Sequence, residues 1–167
     1  MLGSLLNAKE YNSDLLHIHA TIFPKILLTD TQLQKKLVDG KIKIIILHSQ
    51  QDQESAEKLK QEILSLYPTI DNTPLSISLQ QYNNVKDLEV ATAYYELNGE
   101  INAIAHVNKI ALKNRRITFS LNESYLSFGT LFSLHIGKKV SPVINISSLK
   151  RSKIILNNII FTIVRIQ

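Results

Sequence analysis

Residues 41–50 read KIKIIILHSQ, and this run decides the fold. From Ile42 to Leu47 the residues are apolar, and β-branched as far as Ile46, with the single break of Lys43. A strand that alternated with solvent would show a polar residue at every second position, so a continuous run is expected in the middle of a sheet covered on both faces. Such sheets belong to α/β proteins, and the flanking sequence supplies helices on either side. Upstream, Ser13 and Asp14 stand where a helix cap is expected, and Leu15, Leu16, Ile18, Ile22, Phe23 and Ile26 form a broad apolar face, with Pro24 a kink or early end. Downstream, residues 53–67 space Ala56, Leu59, Ile63, Leu66 and Tyr67 at helical intervals before Pro68.

The alternation continues along the chain. Residues 75–82 (LSISLQQY) have the period of two of a half-buried strand, and 90–97 (VATAYYEL) a second short one. Asn98-Gly99 marks a turn, and Ile101, Ile104, Ala105, Val107, Ile110, Ala111 and Leu112 a helix. After the basic turn at 113–116 come a strand at 116–120, an irregular segment to Gly129, and strands at 130–136 and 140–146 joined in a hairpin by Gly137-Lys138-Lys139. Ser147-Ser148 is expected to cap a short helix, and Asn157-Asn158 a last one burying Ile159, Ile160, Ile163 and Val164. The expected fold is a single three-layer α/β domain. Its central sheet is mostly parallel with a C-terminal antiparallel hairpin, and helices cover both faces.

Composition agrees with one domain over 9–167: 167 residues with 44% hydrophobic and 20% charged suffice for one substantial core. The absence of cysteine excludes disulfides, thiolate zinc sites and a Cys nucleophile. Charge is divided by position. Residues 101–167 carry ten Lys or Arg against one acid, Glu123, and residues 1–100 carry nine against thirteen. The basic blocks at 113–116 and 138–139 are short and lack interleaved aromatics, so nucleic acid is not an expected partner. The opening LGSLLNA is uncharged and ends in a small residue before Lys9-Glu10, which reads as the remnant of a signal peptide over residues 1–8, with the mature chain starting near Lys9.

Catalytic signatures are missing. There is no Gly-rich phosphate loop, nucleophile elbow, His-Glu-x-x-His pair or close acid pair, and no metal or cofactor site is expected. His17 and His19 lie in a helical pattern that turns their rings apart. His48 closes the central strand, and α/β sheets bind ligands beyond such carboxyl ends. A small-molecule or peptide pocket there would take in His48, Gln50 and Tyr82. The plainer reading of His48, a polar strand end entering a loop, stands beside it. Gly129 fits a turn with positive φ, and Asn145 a strand-end cap, both structural roles.

The run from Arg115 to Ile166 resembles the closing segment of the YfiR-like periplasmic family. The matching positions are the strand Ile117-Thr118-Phe119-Ser120, the loop glycine Gly129, the pair Ile144-Asn145, a short helix from Ser147 to Lys150 and a terminal helix from Asn157 to Val164. The early helix around Ala20–Phe23 and the strand at 42–47 follow in the family's order. Leu27-Leu28-Thr29 stands in place of the family's Trp-Pro, and Phe128-Gly129 in place of its double glycine. The resemblance implies an exported, non-enzymatic regulator or sensor. Such a protein binds an inner-membrane signalling protein, a diguanylate cyclase or sensor kinase, and answers to a small-molecule effector, with a homodimer among the possible states. A docking surface of that kind needs an apolar patch with a charged rim, for which Lys138, Lys139, Lys150 and Arg151 are the candidates.

Overall fold

The computed structural model describes residues 11–167, and the expectation for residues 1–8 lies outside them. Strand β1 (Ile42–His48) is the centre of an eight-stranded sheet. Ile44 and Ile46 face one side and Ile45 and Leu47 the other, all four fully buried. This is the two-sided burial that the apolar run from Ile44 to Leu47 predicts; each such side chain contributes about 1.5–3 kcal/mol of transfer free energy.

Parallel neighbours flank it: β3 (Thr73–Gln81) on one side, and β4 (Ala93–Glu96), β5 (Ile117–Ser120) and β6 (Phe132–Ile136) in turn on the other. β7 (Val140–Ile144) returns antiparallel to β6 as the expected hairpin. Two-residue strands close both edges, β2 (Thr69–Ile70) antiparallel to β3 and β8 (Arg165–Ile166) parallel to β7. Helices α1 (Ser13–Leu27) and α2 (Gln53–Leu66) pack on the face of Ile44, Ile46, Tyr95 and Phe119. Helix α3 (Ile101–Lys113) covers the opposite face with Ile104, Val107 and Ala111. The fold is thus a three-layer α/β domain with helices on both faces.

Several local expectations are corrected. Asn12, not Ser13, caps α1, its Oδ1 accepting from the Asp14 amide at 2.9 Å. Pro24 does not end that helix, which runs on to Leu27; the burial of Phe23, Ile26 and Leu27 around it outweighs one lost backbone bond. Helix α4 (Ile146–Ser152) is capped by Asn145 rather than by the serines. The expected last helix at 157–164 is a single 3-10 turn, Asn158–Thr162, in which only Ile160 is buried. All six residues from 159 to 164 are β-branched or aromatic types that lose side-chain freedom in a helix, and the free edge of β7 offers unpaired backbone groups. The chain therefore turns and adds β8.

Candidate functional site

The strand order β3-β1-β4-β5-β6 is a doubly wound arrangement. The chain leaves β1 for one side, returns, and crosses to the other at β4. That reversal splays the loops beyond the carboxyl ends of β1 and β4 and opens a crevice there. A cleft of about 350 Å³ occupies this place. His48, Ser49 and Gln50 line it from the end of β1, Gln81, Tyr82 and Asn83 from the end of β3, and Gly99, Glu100 and Ala103 from the turn after β4 and the first turn of α3. His48, Gln50 and Tyr82, singled out in the sequence as strand-end residues, thus share one cleft. Glu100 and Gly99 were not anticipated, because the sequence showed only a turn there.

The imidazole of His48 is held in a defined state. Its Nδ1 lies 2.8 Å from the Ser49 carbonyl oxygen, which can only accept, so Nδ1 carries the proton. The residue is 3% exposed, and Nε2 has no partner among the described residues and is not sealed from space. His48 thus borders the cleft with Nδ1 committed to Ser49 and Nε2 unbonded, and the same side chain also borders a second recess beside Gln80 and Gln81 of β3.

Three tyrosine hydroxyls fix the opposite wall. Tyr82 donates to the Leu97 carbonyl at 2.8 Å, Tyr11 accepts from the Asn98 amide at 3.2 Å, and Tyr125 accepts from the Gly99 amide at 3.0 Å. Tyr82 lies so close that a Cβ on residue 99 would stand 2.4 Å from its ring, which is why glycine is needed at that turn. Burial raises all three phenols above their ordinary titration range, so they stay neutral. With its hydroxyl turned inward, Tyr82 offers the cleft its ring. Asp52, 6% exposed at the start of α2, accepts from Ser49 Oγ at 3.1 Å and from Tyr11 at 3.4 Å.

A buried polar network lies beneath α3. The Thr130 hydroxyl donates to Glu96 at 2.5 Å and accepts from Asn108 Nδ2 at 3.0 Å. Burial pushes the Glu96 carboxyl up to about 8, against the opposing pull of Thr130 and Asn108, so it is protonated at neutral pH. On the other face, Tyr95 and His19 share a 2.6 Å hydrogen bond with both side chains fully buried, and burial holds His19 down at about 3. Tyr95 and Thr92 therefore belong to the core, and Glu89 pairs with Lys43 at 2.8 Å. No group of three metal-ligating side chains stands together among the described residues.

The basic candidates do not form one rim. Lys138 and Lys139 are exposed at the tip of the β6–β7 hairpin, while Lys150 and Arg151 are exposed on α4, which follows the other end of β7. The hairpin tip and the start of α4 are at the two ends of β7, a strand of five residues and so roughly 15 Å long. Gly129 has φ +102°, and its place for a Cβ lies 3.3 Å from Asn108; with Arg151 it lines a shallow recess between α3 and α4. Asn145 accepts from the Ser148 amide at 2.9 Å and donates to the Leu126 carbonyl at 2.6 Å, tying α4 to the segment before Gly129.

No protein-family model matches the chain, and no curated protein matches it. Eleven chains of solved structures match its fold. One is a conserved domain protein from Vibrio cholerae O1 biovar El Tor, with a TM-score of 0.63 and 13% identity over 90% of this chain. Another is the ABC domain in complex with L-Trp from Streptococcus pneumoniae, with a TM-score of 0.57 and 11% identity over 84% of this chain. The chain spans 59% and 61% of the length of these two. At such identity the likeness is one of fold.

Proposed function

We propose that the chain is a non-enzymatic regulatory module of the YfiR-like kind, exported to the periplasm, that docks on an inner-membrane signalling protein and modulates its output. The observation that carries this reading is the apolar strip of the C-terminal segment. Ile155, Ile159, Ile163 and Ile166 are 54–64% exposed and Phe161 is 38% exposed, all within twelve residues. Singly exposed apolar residues are ordinary, whereas five within twelve residues is what a surface that meets a partner would present. Lys150, Arg151 and Lys153 precede it in sequence, Arg165 lies within it, and all four are exposed, which suits a partner segment rich in Asp and Glu. Lys138 and Lys139 lie away from it and drop out of the rim. No helix among the described residues is long and apolar enough to cross a membrane.

The test is affinity capture from detergent-solubilised membranes of the native host with wild-type chain and with Ile159→Asp/Ile163→Asp, both positions being solvent-exposed. Recovery of a cyclase or kinase by the wild type and its loss with the folded double variant is the expected result. Equal recovery by both would refute the assignment of the strip.

A second reading is favoured by the cleft at the carboxyl edge: the chain is a receptor for a small ligand. A crevice at this topological position is where doubly wound sheets place ligands, and one fold neighbour is seen in complex with L-Trp. The two readings are compatible, the cleft supplying the effector site and the strip the output surface.

A further inference from the structure

Resting on the receptor reading of the cleft, we propose that its ligand is a free α-amino acid, bound by its ammonium and carboxylate together. The cleft has an unusual polarity for this protein. In a chain of net charge +5, no Lys or Arg lines it, and its only ionised side chain is the carboxylate of Glu100. The lone pair on His48 Nε2 is a second acceptor, in a side chain almost wholly buried and left without a partner. Two acceptors with no donor of comparable strength call for a ligand that donates, and a protonated amine satisfies both.

The first turn of α3 supplies the complement. Its first intrahelical bond runs from the Ile104 amide to the Glu100 carbonyl at 3.0 Å, so the amides of Ile101, Asn102 and Ala103 precede the helical ladder, and no side chain caps them. Free amides at a helix start bind a carboxylate. Glu100 and these amides belong to one turn. A ligand with ammonium and carboxylate on the same carbon reaches acceptor and donors at once, whereas a simple amine leaves the amides unused and a simple acid meets Glu100 with like charge. The ring of Tyr82 forms an apolar wall for the side chain, and about 350 Å³ admits one residue with its solvent rather than a long peptide.

The experiment titrates the whole chain with the twenty L-amino acids. Each active compound is then retested as its N-acetyl derivative, which lacks the ammonium, and as its amide, which lacks the carboxylate. A binding amino acid raises the melting temperature with concentration. The expected result is binding by at least one free amino acid, a tenfold or greater loss with each derivative, and a similar loss in Glu100→Gln, an exposed position whose change leaves the melting temperature of the unliganded protein in place. His48→Phe, which keeps the ring volume, is expected to weaken the amino acid without abolishing folding. The proposal is overturned if no free amino acid binds, or if N-acetyl derivatives bind as well as the parent compounds. A parallel set of sugars, nucleosides and dicarboxylates separates the two levels. Binding of one of these that Ala103→Trp blocks would refute the amino acid and keep the cleft, while no binding by any compound would remove both.

Discussion

Glu96→Gln should stabilise the protein in a way that depends on pH, and the structure gives the size. The carboxyl of Glu96 is fully buried between β4 and α3, where Oε1 and the neighbouring network's Asn108 Oδ1 are acceptors without a donor. A proton on the carboxyl supplies that donor, and burial holds it there up to about pH 8, compared with 4.5 for an ordinary glutamate. Between those values the folded chain keeps a proton that the unfolded chain has released. Stability from this group is therefore complete below pH 4.5, falls as pH rises through the window, and levels off above 8. One proton over three pH units, from pH 5 to pH 8, amounts to about 3–4 kcal/mol. The amide of Gln keeps the shape, accepts from Thr130 and brings its own donor without titrating. Urea denaturation of both proteins at unit steps from pH 5 to pH 9 reads the difference directly. The variant's advantage should grow by about 3 kcal/mol toward pH 8, or about 6–12 °C in melting temperature. His19 acts in the opposite sense, since a histidine kept neutral to about pH 3 gives stability that is present above 6.5 and lost as pH falls. That contribution is common to both proteins and cancels in the difference. A pH-independent gap between the two curves would refute the buried neutral acid.

Two further substitutions probe other parts of the fold. Asn145→Ala removes the cap of α4 and the donor to the Leu126 carbonyl, and should cost about 1–2 kcal/mol in denaturant titration while leaving partner capture intact; unchanged melting with lost capture would reverse that role. Asp30→Ala leaves the Lys36 ammonium, 5% exposed and paired to Asp30, without a counter-charge, and should cost about 3 kcal/mol. Adding Lys36→Leu should recover part of that loss, and a double variant no better than the single would show that the ammonium is not the source of the cost.

What the sequence made legible follows from the range of the forces involved. β1, α2, α3 and the β6–β7 hairpin announce themselves through apolar periodicity and turn residues within a few positions of each other. β2 and β8 are two residues each and exist because an edge is free to be paired, so no local pattern marks them. The same edge took the C-terminal segment away from the helix its Asn-Asn start suggested. At the site, His48, Gln50 and Tyr82 were readable as ends of central strands. The clamp of Tyr11, Tyr82 and Tyr125 on one turn joins residues up to 114 positions apart and leaves no trace in spacing. Lys138 and Lys150 were grouped as one rim by their charge, and the course of β7 puts the hairpin tip and the start of α4 at its two ends.

The strand order also bears on how the chain is built. Once β3 has paired with β1, every later strand adds to the side of the sheet that β4 opens, in the order β4, β5, β6, β7, β8, which is their order of synthesis. A chain emerging from the ribosome can lay down each strand against one already in place, without waiting for a distant partner and without threading a strand between two others. Each newly added edge is bare only until the next strand arrives, and β8, of two residues, is too short to recruit another molecule's strand.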